Sequence, residues 1–120
     1  MNSTLVVVAT DADLDKAEAQ RMAGVAHDGL ARAIRPLHSY ADGDVAFALA
    51  TGRHPLTLAK RRQDQWRRAR IGELNAVLSA VGDVTTRAVV RAMLTASGRP
   101  DLPAYRDLCP SVMEALASSL

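Results

Sequence analysis

An α/β fold with helices packed on a sheet is what this sequence predicts, and three observations carry the expectation. Two runs, TLVVVA at 4–9 and VAFALAT at 45–51, are continuously apolar but too short for helices. Two longer stretches repeat apolar residues at spacings of three and four, which puts them on one helical face. The resulting order, β-α-β-α-α, alternates strand with helix, which favours helices layered on a sheet over a bundle or a sandwich.

The first strand, 4–9, reads as buried on both faces, because it lacks the alternation of a half-exposed strand. Asp11 or Asp13 is the expected cap of the first helix, since a carboxylate can accept its unpaired first-turn N–H groups. That helix carries the stripe Ala19, Met22, Ala23, Ala26, Leu30, Ala33, Ile34 and Leu37. Pro36 should end it, because the residue before a proline is pushed out of the α region. A polar turn at 40–43 leads to the second strand, 45–51. A basic segment, 53–70, poor in strand formers, follows. The second helix is expected over 71–96, with Leu74, Val77, Leu78, Val81, Thr85, Ala88, Val89, Ala92 and Met93 inward. Gly98, Pro100 and Pro103 stop it, and one short element closes the chain over 104–120. Two strands do not make a viable sheet, so others must come from a partner chain or another segment.

Composition bounds the function. The chain has 120 residues, 48% apolar and 23% charged, an ordinary globular balance treated as one domain, 1–120. Aromatics are only 3%, so the core is built from small side chains and should lean on a partner. Cys109 is the single cysteine, which excludes an intrachain disulfide and reads as a small buried hydrophobe. No run reaches the ~18 apolar residues of a membrane span, and no basic n-region precedes the first strand. A cytoplasmic, non-membrane location is therefore expected.

Three features could carry chemistry. Asn2-Ser3-Thr4 stands directly before a strand. If the Asn2–Ser3 bond is cut, the new α-amine lies on the same residue as the hydroxyl, so one residue supplies nucleophile and base. The amine's reference pKa of about 7.7–8 leaves it largely neutral slightly above neutral pH. The bland alternative is a chain start with no role. Asp42-Gly43-Asp44 brings two carboxylates together at the sheet's end, where they could share a proton or hold a hydroxyl and an ammonium; the alternative is a turn punctuated by aspartate. Lys60, Arg61, Arg62, Arg67, Arg68 and Arg70 cluster around Trp66, the pattern of a phosphate-binding patch with one stacking platform. The net charge is only +2, so a solvated face or a contact with an acidic partner is the preferred reading over nucleic acid. His27, His38 and His54 fall on a helix, a turn and a loop, without zinc-ligand spacing. They are assigned to packing or surface hydrogen bonds.

The run from NSTLVVVATDA through AHDGLARAI to DGD-x-x-FALATG resembles the C-terminal subunit of the DmpA-type aminopeptidase family, and RAVVRAMLTASG and PAYRDLCP extend the likeness. This family includes L-aminopeptidase/D-esterases, β-peptidyl aminopeptidases and the nylon-oligomer endohydrolase. The resemblance implies a precursor that cuts itself before a Ser or Thr, and α and β subunits forming an αββα sandwich related to the N-terminal-nucleophile hydrolases. This chain would supply about two strands and the long helices, and its basic segment 53–70, which matches nothing in the family, would be an insertion. It further implies Ser3 as catalytic nucleophile, Asn2 before the scissile bond, and Asp42 and Asp44 as the pair assisting the nucleophile. That pair is like the nylon-oligomer branch, whose nucleophile is usually Thr. An upstream α half, a small peptide or amide substrate and a higher oligomer of αβ units are implied as partners, with no metal or organic cofactor. The alternatives are a non-catalytic remnant, or an anionic-partner module using the segment 60–70.

Overall fold

A computed structural model describes residues 3–56 and 63–118 of the chain. The elements run β1 (Leu5–Ala12), α1 (Lys16–Ala33), β2 (Val45–His54), α2 (Gln63–Thr95), α3 (Tyr105–Leu108) and α4 (Pro110–Ala117). Residues up to Thr86 form one compact unit and residues from Arg87 a second.

In the first unit β1 and β2 pair in parallel, Leu5 opposite Val45, Val7 opposite Phe47 and Ala9 opposite Leu49. Helix α1 is the crossover between them. Successive side chains point to opposite faces, and the two faces here have different fates. Val6, Val8, Ala46 and Ala48 face the core, where Val8 packs with Met22 and Ala26 of α1 and Val81 of α2. Leu5, Val7, Phe47 and Leu49 point the other way and are 73%, 69%, 57% and 56% exposed. The expectation of a strand covered on both sides thus fails within this first unit, where α1 and α2 pack on one face of the sheet.

The inward stripe of α1 follows the spacing read from the sequence, with Met22, Ala26 and Leu30 fully buried. Its start does not. Asp11 lies within β1 and Asp13 just after it, because the ladder continues past a bulge until Ala12 pairs with His54. Asp15 is the cap instead. Its carboxylate accepts the Glu18 N–H at 2.8 Å, and the Glu18 carboxylate accepts the Asp15 N–H at 2.9 Å, closing a capping box.

Helix α2 begins at Gln63, well before the expected 71, and Arg53 and His54 belong to β2. Gln, Arg and Ala are good helix formers, and Arg70 anchors the early turns. Its guanidinium donates from Nε to Glu18 Oε1 at 3.0 Å and from Nη2 to Glu18 Oε2 at 2.6 Å. The two helices cross closely at Gly29. A β-carbon there would lie 2.6 Å from both the Gly82 carbonyl oxygen and Thr85 Cβ. Thr86 Oγ1 donates across the crossing to the Gly29 carbonyl at 2.9 Å.

The side-chain hydrogen bond from Arg70 holds the Glu18 carboxyl below the usual glutamate range. Glu18→Gln keeps the capping box and removes the ion pair, and is expected to cost about 1 kcal/mol at neutral pH. A group whose folded pKa is lowered contributes fully above its unfolded pKa and loses that contribution as pH falls through the folded value. Thermal melts at neutral pH should therefore separate the two proteins, and melts below the lowered Glu18 pKa should bring them together.

In the second unit the expected single closing element is two short helices. Pro110 starts α4 and bars Cys109, at φ −131° and ψ 63°, from α geometry. Cys109 sits at this break half-buried, not fully buried as expected. Arg106 ties α3 to the end of α2 by donating to the Ala96 carbonyl at 2.8 Å. The stripe of α2 accordingly stops short: Val81 and Thr85 are buried, whereas Met93 is 52% exposed.

Candidate active site

The parallel pairing of β1 and β2 brings their N-terminal ends together, which sets Ser3 and Thr4 beside the turn that leads into β2. Val45 N–H donates to the Thr4 carbonyl at 2.9 Å, and Thr4 N–H donates to Asp44 Oδ1 at 2.8 Å. The Asp44 side chain is 4% exposed, while its partner His38 is 46% exposed. Ser3 itself is exposed and lies over Gly43, where a β-carbon would come within 2.8 Å of Ser3 Oγ. A side chain at this position would push the Ser3 hydroxyl aside. The sequence expectation singled out Ser3, Asp42 and Asp44 from two segments 40 residues apart, and they meet here. Asn2 lies outside the described residues.

The two carboxylates have different surroundings. Asp42 Oδ2 accepts the Ser39 N–H at 2.8 Å, while Asp42 N–H donates to the Ser39 carbonyl at 3.0 Å. Asp42 therefore closes the turn that carries Asp44. The Asp44 carboxyl is held below the usual aspartate range, first by the Thr4 N–H bond and further by His38. A cleft of about 240 Å³ opens alongside, with Ile34, Pro36 and Leu37 as an apolar wall and Thr4, Ser39, Asp42 and Asp44 as its polar side.

Two residues at this site were missed by the sequence reading. His38 Nδ1 lies 2.9 Å from Asp44 Oδ2, and His38 Nε2 lies 3.1 Å from Nδ1 of His27 on α1. The two imidazole rings are tilted at 55° with centroids 4.8 Å apart. His38 holds a left-handed backbone at φ 59°, uncommon for a non-glycine residue. The only local signal was position, since both histidines fall inside the segments that carry the family resemblance. The third, His54, is on β2 and not in a loop. Among the described residues, no group of three or more His, Cys, Asp or Glu is arranged to hold a metal ion, and no helix is long and apolar enough to cross a membrane.

Of the basic cluster, Lys60, Arg61 and Arg62 lie outside the described residues, as do the side chains of Trp66 and Arg67. Arg70 is engaged by Glu18 and by the Asp13 carbonyl, so its charge is neutralised within the fold.

Comparison with known proteins adds independent support for the family read from the sequence. Residues 1–101 match the model of peptidase family S58. The chain is 40% identical to the uncharacterized aminopeptidase Rv1333 of Mycobacterium tuberculosis over 117 residues, covering 91% of this chain and 31% of that protein. It is 43% identical to the uncharacterized aminopeptidase ML1167 of Mycobacterium leprae over 110 residues, covering 92% of this chain and 30% of that protein. The chain thus spans about three tenths of the length of these relatives.

Proposed function

The chain belongs to peptidase family S58, and from that premise we propose that it is the nucleophile-bearing, β-subunit-like part of a self-processing aminopeptidase or amidase. Ser3 Oγ attacks the Asn2 carbonyl carbon; the C–N bond of the Asn2–Ser3 peptide breaks, and the Ser3 nitrogen takes up the proton. Water then hydrolyses the resulting ester, leaving an Asn2 carboxylate and a free Ser3 amine. In turnover Ser3 Oγ attacks a substrate amide, the α-amine accepts the hydroxyl proton and passes it to the leaving amine, and the acyl-enzyme is hydrolysed.

The observation that carries this reading is the position of Ser3 Oγ directly over Gly43, with the next peptide N–H clasped by Asp44 beside an open cleft. A nucleophile must be held within reach of its target, and a clasp on the adjoining peptide removes most of the freedom of a chain end. The cleft supports a small aminoacyl substrate. Its apolar wall suits a compact side chain, and the Asp42 and Asp44 carboxylates suit an ammonium. The bare sheet face, Leu5, Val7, Phe47 and Leu49, supports an upstream α half that completes an αββα sandwich and supplies the missing strands and the oxyanion donors. Assembly of such αβ units into a higher oligomer is part of the same proposal.

Mass spectrometry of the natural gene product that carries this chain tests the reading. The expected result is a smaller fragment whose amino end is Ser3. A product that stays intact between Asn2 and Ser3 on prolonged incubation would overturn it.

A further inference from the structure

We infer that His38 is a positioning residue for Ser3, acting through Asp44 and itself oriented by His27; this rests on the proposed role of Ser3. A carboxylate can only accept hydrogen bonds, so the 2.9 Å contact with Asp44 Oδ2 puts the proton of neutral His38 on Nδ1. Nε2 is then a lone-pair acceptor, and the 3.1 Å contact is a bond donated by His27 Nδ1–H. The chain His27→His38→Asp44 runs in one direction, with every donor matched to an acceptor. At its end both Asp44 oxygens are engaged, Oδ2 by His38 and Oδ1 by the Thr4 N–H. The carboxylate cannot rotate without breaking one of these bonds, and the Thr4 peptide it holds is the one immediately after the nucleophile.

Three further observations favour a built device over a chance contact. His38 occupies the left-handed region, a conformation that persists when its surroundings over-determine it. Asp42 closes the short turn between His38 and Asp44, fixing the spacing of the two partners. His27 comes from α1, whose neighbouring residue Ala26 is fully buried, so the far end of the chain is anchored in the core. The titratable groups facing His38 are Asp44 from the turn and His27 from α1, with Asp42 in the same turn and the Ser3 amine, once freed, beyond Thr4.

The backbone conformation makes a clean test possible. Glycine and asparagine both accept φ near 60°. His38→Gly keeps the turn and deletes the donor to Asp44; His38→Asn keeps the turn and offers a side-chain N–H at about the reach of Nδ1. In the natural gene product carrying the chain, His38→Gly should slow self-cleavage and lower kcat by roughly tenfold to a hundredfold, with KM within about twofold, as expected for a displaced reacting group. His38→Asn should restore both rates to within about threefold of wild type. Ring 15N shifts of the wild-type protein at neutral pH should show His38 as the Nδ1–H tautomer, and Asp44→Asn should switch it to Nε2–H, since the new amide N–H needs an acceptor. A Gly variant as active as wild type, an Asn variant no better than Gly, or an Nε2–H His38 in the wild type would overturn the inference. If the wild type fails to cut itself, the proposed function falls, and the ring tautomer alone decides whether His38 holds Asp44.

Discussion

Replacing Asp44 by Asn is expected to lower turnover of a small aminoacyl amide by roughly two orders of magnitude, the scale of losing a proton-transfer or orienting group. The structure explains why this substitution isolates the charge. Asn Oδ1 can still accept the Thr4 N–H now held at 2.8 Å. Asn Nδ2 can donate to His38 Nδ1 once that ring exchanges its proton to Nε2, and Nε2–H then donates to His27 Nδ1 once His27 in turn carries its proton on Nε2. Each hydrogen bond has a replacement, so stability should change by no more than about 1 kcal/mol. What disappears is the negative charge beside Ser3 and its amine. Without it the ammonium that the proposed proton transfer forms on that amine keeps only Asp42 as a carboxylate counter-charge at the site. The measurement is kcat and kcat/KM of the processed enzyme, with the extent of processing determined separately by mass, because the same carboxylate is proposed to assist self-cleavage. A processed Asp44→Asn enzyme working at close to the wild-type rate would reduce Asp44 to a structural clasp.

Gly29→Ala is expected to destabilise the protein by about 2 kcal/mol, within the range for overpacking a close contact. The new methyl would sit 2.6 Å from the Gly82 carbonyl oxygen and from Thr85 Cβ. One of these obstacles is backbone, and the other is the β-branched side chain of a residue only 3% exposed. Neither can swing aside, so α1 and α2 must separate, thinning the contact between Val81 and the Met22–Ala26 stripe. Helix propensity works in the opposite direction, since alanine improves on glycine by up to about 1 kcal/mol in a helix interior. Gly24, on the same helix, measures that term alone. A β-carbon there meets nothing within 4 Å, so Gly24→Ala should stabilise by about 0.5–1 kcal/mol. The two substitutions make the same chemical change to one helix and are expected to move the thermal midpoint in opposite directions. A Gly29→Ala protein at least as stable as wild type would mean that the helix crossing is looser than these distances require.

Local pattern determined a good part of this protein. The spacing of Met22, Ala26 and Leu30, and of Val81 and Thr85, identified the buried faces of both helices, because a period near 3.6 is a property of the chain itself. Contiguous motifs led to peptidase family S58, and they are the source of the proposal that Ser3, Asp42 and Asp44 carry the chemistry. The capping box at Asp15 and Glu18 was also written locally, as an aspartate followed three residues later by a glutamate. It went unread because Asp11 and Asp13 offered the same chemistry nearer the strand.

Tertiary structure decided the rest. Asp11 and Asp13 do not cap α1 because β1 finds ladder partners as far as Ala12, and those partners lie on β2. Arg67, Arg68 and Arg70 enter α2, where Arg70 meets a carboxylate 52 positions away. Thr4 N–H reaches Asp44 across 40 positions, and His38 links that carboxylate to a helix 11 residues upstream. No window of sequence holds such contacts, because a hydrogen bond is set by distance in space and chain separation leaves that distance undetermined. The bare outer face of the sheet has the same origin. Leu5, Val7, Phe47 and Leu49 satisfy strand geometry equally well covered or uncovered. Covering depends on what packs there, and α1 and α2 are held on the opposite side by Val8, Met22, Ala26 and Val81.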